Sequence, residues 1–338
     1  MKEIYVADLK EGMSITEFFM VRQSSIKVGK SDKEYLDIML MDKTGDLSGK
    51  KWDVDPDSRE QLAAYKAGDL VRVRGEITDW KGQTQIRISR IRPALKEDGL
   101  LMKDFVKTAP EDSESMYAFI MGRIDAMEDE ELKRICRYVY EENHDRLLYY
   151  PAAMSNHHAE YGGLLYHVKR MMMMGERACE VYTFLSRDLL IAGIALHDIE
   201  KLTEIKSDKN GVSPGYTVEG NLLGHLVMGV SRIEQLARDL DISHETAMLL
   251  EHMILSHHYL PEYGSPKKPL FPEAELLHHI DNIDAKLFDM EEALATVKPG
   301  EFSDRVYSLD NRRLYKAKRT GEGEAAQESD ANPEPKEG

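Results

Sequence analysis

The histidines of this chain are not scattered. Of twelve, only His144 precedes residue 150, and the other eleven fall between 157 and 279. With them runs an ordered series: His167, the adjacent pair His197-Asp198, His225, the pair His257-His258, and Asp281. Apolar spacing and Pro/Gly punctuation predict helices over 164–180, 187–197, 222–240, 244–256 and 273–289. Each member of the series therefore lies on, or at the end of, a different helix. A fold that uses them together must gather several helices around one centre.

The residue types say what such a centre is suited to. Imidazole and carboxylate are ligands for borderline divalent metals such as Mn, Fe, Co, Ni or Zn. A two-metal hydrolase needs several such ligands, one bridging carboxylate, and ions about 3.5–4 Å apart. Lys201 stands one helical turn beyond Asp198. His157 and His158, ten residues before His167, are candidates for substrate phosphate. His252, His278 and His279 are weaker candidates, as supporting or surface groups. Met171 to Met174 read as helix interior plus surface.

The first 95 residues have a different pattern. Residues 35–42 form an apolar strand. Val71, Val73 and Ile77 alternate with Arg72, Arg74 and Glu76, as in a half-buried strand. Asp79-Trp80-Lys81-Gly82 predicts a hairpin turn, followed by alternation at Ile86 and Ile88. Several short strands in so little chain predict a small all-β barrel or sandwich. Residues 96–150 read as a helical connector, with Leu132, Ile135, Cys136 and Val139 as an apolar stripe that leaves a homo-oligomer open. Residues 151–318 read as an all-α domain, and 319–338 as a disordered acidic tail.

The net charge of −16 argues at first against a nucleic-acid partner, but its distribution matters more. Residues 1–95 carry 17 Lys and Arg against 16 Asp and Glu. Arg72, Arg74, Lys81, Arg87, Arg90 and Arg92 cluster there, with Phe18, Phe19, Tyr35, Trp52 and Trp80 as rings for stacking. Of these, Arg72, Arg74, Arg87 and Trp80 are the candidate contacts to a bound strand. No apolar run approaches membrane-spanning length, and Met1 to Tyr5 lack an apolar signal core. Cys136 and Cys179 lie far apart and form no disulfide framework. Both features predict a cytoplasmic location.

Two resemblances follow. The His-Asp series resembles the HD phosphohydrolase superfamily in its two-metal form. That resemblance implies His167, His197, Asp198 and Asp281 on one ion, His225, His257 and His258 on the other, Asp198 bridging, and Lys201 neutralising phosphate. Glu200 stands where that family often has glycine. Residues 35–45 and 68–75 resemble an OB-fold of the anticodon-binding type. An OB-fold followed by an HD domain looks like the YhaM family of bacterial 3′–5′ exoribonucleases, over about residues 1–316. The stretches that carry this are Asn156-His157-His158, Gly193 to His197-Asp198, residues 217–225, Leu255-Ser256-His257-His258, residues 277–286 and Leu309-Asp310-Asn311-Arg312-Arg313. It implies Mn²⁺-dependent release of nucleoside 5′-monophosphates from single-stranded RNA, with single-stranded DNA as a further substrate. The competing expectations are a small-molecule nucleotidase or cyclic-nucleotide phosphodiesterase, and a non-catalytic single-strand-binding factor.

Overall fold

The computed structural model describes residues 2–29, 32–52, 54–80, 82–153, 160–207, 213 and 215–318. Five strands form the N-terminal part: β1 (Ser14–Val28), β2 (Glu34–Asp42), β3 (Gly45–Lys51), β4 (Leu70–Trp80) and β5 (Gln83–Pro93). They close into a barrel in the order β1-β2-β3-β5-β4, with β4 returning to β1. Only β3 and β5 pair in parallel. This is the order of an OB-fold. Helix α1 (Pro56–Ala63) bridges β3 and β4. Its N-cap Asp55 accepts from the Ser58 amide, Pro56 opens its first turn, and Leu62 joins the barrel core.

Alternation decides which side chains fill the barrel. Val71, Val73 and Ile77 point inward with Phe19, Leu36, Ile38, Leu40, Leu47 and Ile86, while Arg72, Arg74 and Glu76 face out. The β4–β5 register shifts between Arg74 and Gly75. A Cβ at Gly75 would sit 2.4 Å from the Arg87 carbonyl oxygen, so only glycine fits this bulge. Phe18 and Phe19 are both buried, which corrects the expectation that they offer rings to a strand. Each faces apolar neighbours: Phe19 in the barrel, Phe18 with Met20, Phe105 and Val106 where the barrel meets the helices.

The helices are α2 (Ser113–Asp125), α3 (Glu130–Glu142), α4 (His144–Leu147), α5 (Gly163–Val181), α6 (Arg187–Leu196), α7 (Lys201–Glu204), α8 (Val218–Asp239), α9 (His244–Ser256) and α10 (Pro272–Ala295). One core takes Ile120 from α2, Ile135 from α3, Leu164 from α5, Leu190 from α6, Leu250 from α9 and Leu277 from α10. The stripe Leu132, Ile135, Cys136 and Val139 is buried in this same core. Its apolar surface is thus covered within the chain rather than offered to a second copy. Met171 and Met172 are buried and Met173 is exposed, as helix periodicity requires.

Two features depart from the predicted helices. The apolar pattern over 222–240 reads as one helix, but α8 begins at Val218 and is broken at Gly224 (φ 72°, ψ 160°). Two-stranded pairings β6 (Ile205–Lys206) with β7 (Gly215–Tyr216), and β8 (Phe302–Val306) with β9 (Arg312–Tyr315), interrupt the helical part. Among the described residues, no helix is long and apolar enough to cross a membrane.

Candidate metal centre

The centre is assembled where helices end. His197 caps the C-terminus of α6, and Asp198 follows it. His257 caps α9, and His258 follows. His225 restarts α8 immediately after the Gly224 break. His167 and Asp281 come from the interiors of α5 and α10. Helix ends let adjacent residues aim at one point, which consecutive positions inside a helix cannot do.

Asp198 lies in the middle. Its Oδ1 is 3.4 Å from His225 Nε2 and 3.7 Å from His257 Nε2. Its Oδ2 is 3.3 Å from His197 Nε2, 3.9 Å from His167 Nε2 and 2.6 Å from Lys201 Nζ. Asp281 Oδ1 is 3.3 Å from His167 Nε2. Three overlapping groups have donor atoms within 4.8 Å of one another: His225, His257 and His258; His167, His197 and Asp198; His197, His257 and Asp281. The structure therefore brings together all seven residues of the predicted series.

What the outer ring nitrogens do fixes the inner ones. Nδ1 of His197 faces the Ile194 carbonyl at 2.9 Å, that of His257 the Ile254 carbonyl at 2.8 Å, and that of His258 the Tyr263 carbonyl at 2.7 Å. A carbonyl only accepts, so each Nδ1 donates and each Nε2 keeps its lone pair. Nδ1 of His225 faces Glu204 at 3.0 Å, and that of His167 faces Asp284 at 2.8 Å. Inside the ring, Nε2 of His197, His225 and His257 and Oδ1 of Asp198 are buried with no hydrogen-bond partner. Four such atoms facing one point would be costly in a finished core. They are what a divalent cation would satisfy, and imidazole with carboxylate is a fitting donor set.

Charge supports the same arrangement. Burial opposes ionisation of Asp198, yet Lys201 and His197 hold its carboxyl well below the usual range. Burial likewise opposes the charge on Lys201, but Asp198 outweighs it and raises the ammonium above its ordinary value. Burial pushes His257 well below the usual imidazole range. His167 goes the other way: burial favours the neutral ring, but Asp281 and Asp284 raise it to about 9.

Other predicted residues fall elsewhere. His157, His158 and Lys81 lie outside the described residues. His252 accepts from the Leu270 amide at 3.0 Å, and His279 pairs with Glu275 on the surface. His278 Nδ1 donates to the His257 carbonyl and so steadies the backbone of that residue. Glu204 and Asp284 were not singled out from sequence. Each stands one helical turn after a residue that was, Lys201 and Asp281, and that spacing is the signal that could have found them.

On the barrel, Arg72, Arg74 and Arg87 point to solvent and Trp80 is 63% exposed at the end of β4. Arg92 is paired with Asp98. Arg74 and Arg87 line a groove of about 540 Å³ with Lys51 and Trp52, and Trp52 stacks on Tyr35 at 4.6 Å.

The HD domain family matches residues 164–286, the stretch that supplies every residue of the centre. A 3′-5′ exoribonuclease YhaM from Geobacillus sp. (strain WCH70) is 41% identical over 305 residues, 90% of this chain and 92% of its own. The chain belongs to the YhaM family. A YhaM from Bacillus velezensis is 39% identical, over 90% of this chain and 95% of its own. Among solved structures, the second OB-fold domain of replication protein A from Methanococcus maripaludis covers 27% of this chain and 92% of its own, at 21% identity and a TM-score of 0.21.

Proposed function

We propose that this chain is a metal-dependent 3′–5′ exoribonuclease that removes nucleoside 5′-monophosphates from single-stranded RNA, and from single-stranded DNA as well. The observation that carries the reading is the set of unpartnered buried nitrogens around Asp198, in a chain of YhaM relatedness. His167, His197, Asp198 and Asp281 would hold one ion; His225, His257 and His258 would hold a second, with Asp198 between them. Mn²⁺ is the metal we propose, although Co, Fe and Ni suit the same donors. Divalent cations held there would supply Lewis-acid charge and lower the pKa of water towards neutrality.

The chain's own groups do the rest. Lys201, kept charged by Asp198, offers a positive charge to phosphoryl oxygens as negative charge grows on them. Carbonyl and carboxylate partners hold the imidazoles in one tautomer. Arg72, Arg74, Arg87 and Trp80 would hold the upstream strand by phosphate contact and stacking, with little sequence preference.

The test uses protein stripped of metal, resupplied with Mn²⁺, and given 5′-labelled single-stranded RNA with a free 3′ hydroxyl. A descending ladder that requires the metal and releases 5′-mononucleotides is the expected result. A strand left intact while mononucleotides or cyclic nucleotides are hydrolysed would overturn it.

A further inference from the structure

The stretch 298–318 stands apart in charge. It carries six Lys and Arg against three Asp and Glu, whereas residues 96–297 carry 20 against 36. Most of it is the β8–β9 hairpin, which turns through Asp310 and Asn311, both left-handed (φ 55° and 57°). Short polar side chains tolerate that conformation. Ser303 and Leu309 are buried, and Lys316 Nζ donates to the Leu294 carbonyl at 3.0 Å, which fastens the hairpin to the end of α10.

Val306 and Leu314 are half-buried, and most of the other side chains are turned outward. Tyr307 is 93% exposed, Phe302 55% and Tyr315 49%. Phe302 and Tyr315 face each other across the strands at 5.1 Å, and the Arg313 guanidinium lies 5.5 Å from the Phe302 ring. Arg305 stands directly opposite Arg313 in the register. Like charges so placed destabilise a strand pair. Arg305 donates to the Asn311 carbonyl and Arg313 to the Ser303 carbonyl, which orients the guanidinium groups without neutralising them. Among the described hairpin residues, only Arg312 has a carboxylate at ion-pair distance, Asp310 at 3.7 Å.

Exposed rings beside uncompensated guanidinium groups are the features by which proteins hold unpaired nucleic acid. We propose that the β8–β9 hairpin is a second contact surface for single-stranded RNA, with Arg305 and Arg313 on phosphates and Tyr307 under a base. It rests on the exoribonuclease reading above. Asp281 and Leu294 are both on α10, about 20 Å apart at the helical rise. A strand that touches both hairpin and metal centre must be several nucleotides long.

The test measures binding of a long labelled oligouridylate to the full chain, in EDTA, across a salt series. Arg305→Gln with Arg313→Gln is expected to weaken binding about tenfold. It should also flatten the log–log salt slope by about 1.4, two phosphate contacts on a single strand. Arg305→Lys with Arg313→Lys should keep the slope, and Tyr307→Ala should cost roughly tenfold. Gln variants that bind like the parent would overturn the proposal. So would Lys variants as impaired as the Gln pair, since a lysine keeps the charge but not the carbonyl contacts. A change of sedimentation with Tyr307→Ala would make the surface a contact between copies, and overturn it too. If the unaltered protein neither binds nor shortens the strand with Mn²⁺, the exoribonuclease reading itself fails. If it does both and the Gln pair binds equally well, only the hairpin fails.

Discussion

Among the described residues two lysine–aspartate pairs are buried, one in each part, and they differ in how completely their surroundings are satisfied. Lys2 and Asp42 meet at 3.1 Å beside the barrel with both side chains fully covered. Lys2 also donates to the Phe18 carbonyl at 2.7 Å and lies 4.1 Å from the Phe19 ring. Asp42 also accepts from the Val6 and Thr44 amides and the Thr44 hydroxyl. Lys201 and Asp198 meet at 2.6 Å in the helical part, yet Asp198 Oδ1 and three neighbouring imidazole nitrogens lack partners. Burial pulls Lys2 below its ordinary pKa, while Asp198 lifts Lys201 above its own. A buried charge alone therefore does not mark a working site. Polar atoms left unsatisfied around it do.

The comparison is broken most severely at Asp198. Asp198→Ala removes the carboxylate that every other group surrounds, so hydrolysis of RNA should fall by at least ~10³-fold. Strand binding through the barrel should persist. Gel assays for chain shortening and anisotropy for binding separate the two, and hydrolysis surviving in the variant would refute the assigned centre. At Lys2 the effect should appear in folding. Lys2→Met leaves Asp42 buried and uncompensated, a loss of about 3–5 kcal/mol. Both tryptophans, Trp52 and Trp80, are in the barrel, so their fluorescence in a urea titration reports on that part alone. An unshifted transition would mean the pair is not closed as described.

The contrast also explains what could be read from sequence. The barrel was legible because Val71, Val73 and Ile77 repeat with period two against Arg72, Arg74 and Glu76. The seven residues at the centre were legible as a series because its five members, two of them adjacent pairs, stand on or at the end of five different helices. Lys2 was not, because one lysine near a chain start carries no periodicity. Gly224 was hidden inside apolar spacing that continues on both sides of it. Phe18 and Phe19 are adjacent in a strand, and alternation predicts that one faces out. Phe105 and Val106 cover the outer one, a contact distant in sequence.

A smaller effect should come from the residues that hold imidazoles. Glu204 accepts from both the backbone amide and Nδ1 of His225, at 3.1 and 3.0 Å. Asp284 joins His167 Nδ1 at 2.8 Å to Arg170 Nε at 2.7 Å. Glu204→Gln and Asp284→Asn should each lower metal affinity about 10–100-fold, with the fold retained. Competition against a metal-binding dye measures this directly, and unchanged affinity in both would show that the backbone carbonyls suffice.

The smallest expected effect is a proton count. His167 must be neutral at Nε2 to bind a metal, yet Asp281 and Asp284, overcoming burial, raise it to about 9. Below that pH the metal-free ring carries a proton that an incoming cation must expel. His257, held far below the usual range by burial, has none to give at neutral pH, and the Asp281 carboxyl is already ionised. These three groups together should thus release about one proton per loaded site at pH 7. The sign follows: apparent metal affinity rises with pH up to about 9 and levels off beyond it. Calorimetry in two buffers of different ionisation heat reads the count. A count of zero at pH 7 would mean that Asp281 and Asp284 do not hold His167 protonated in the metal-free protein.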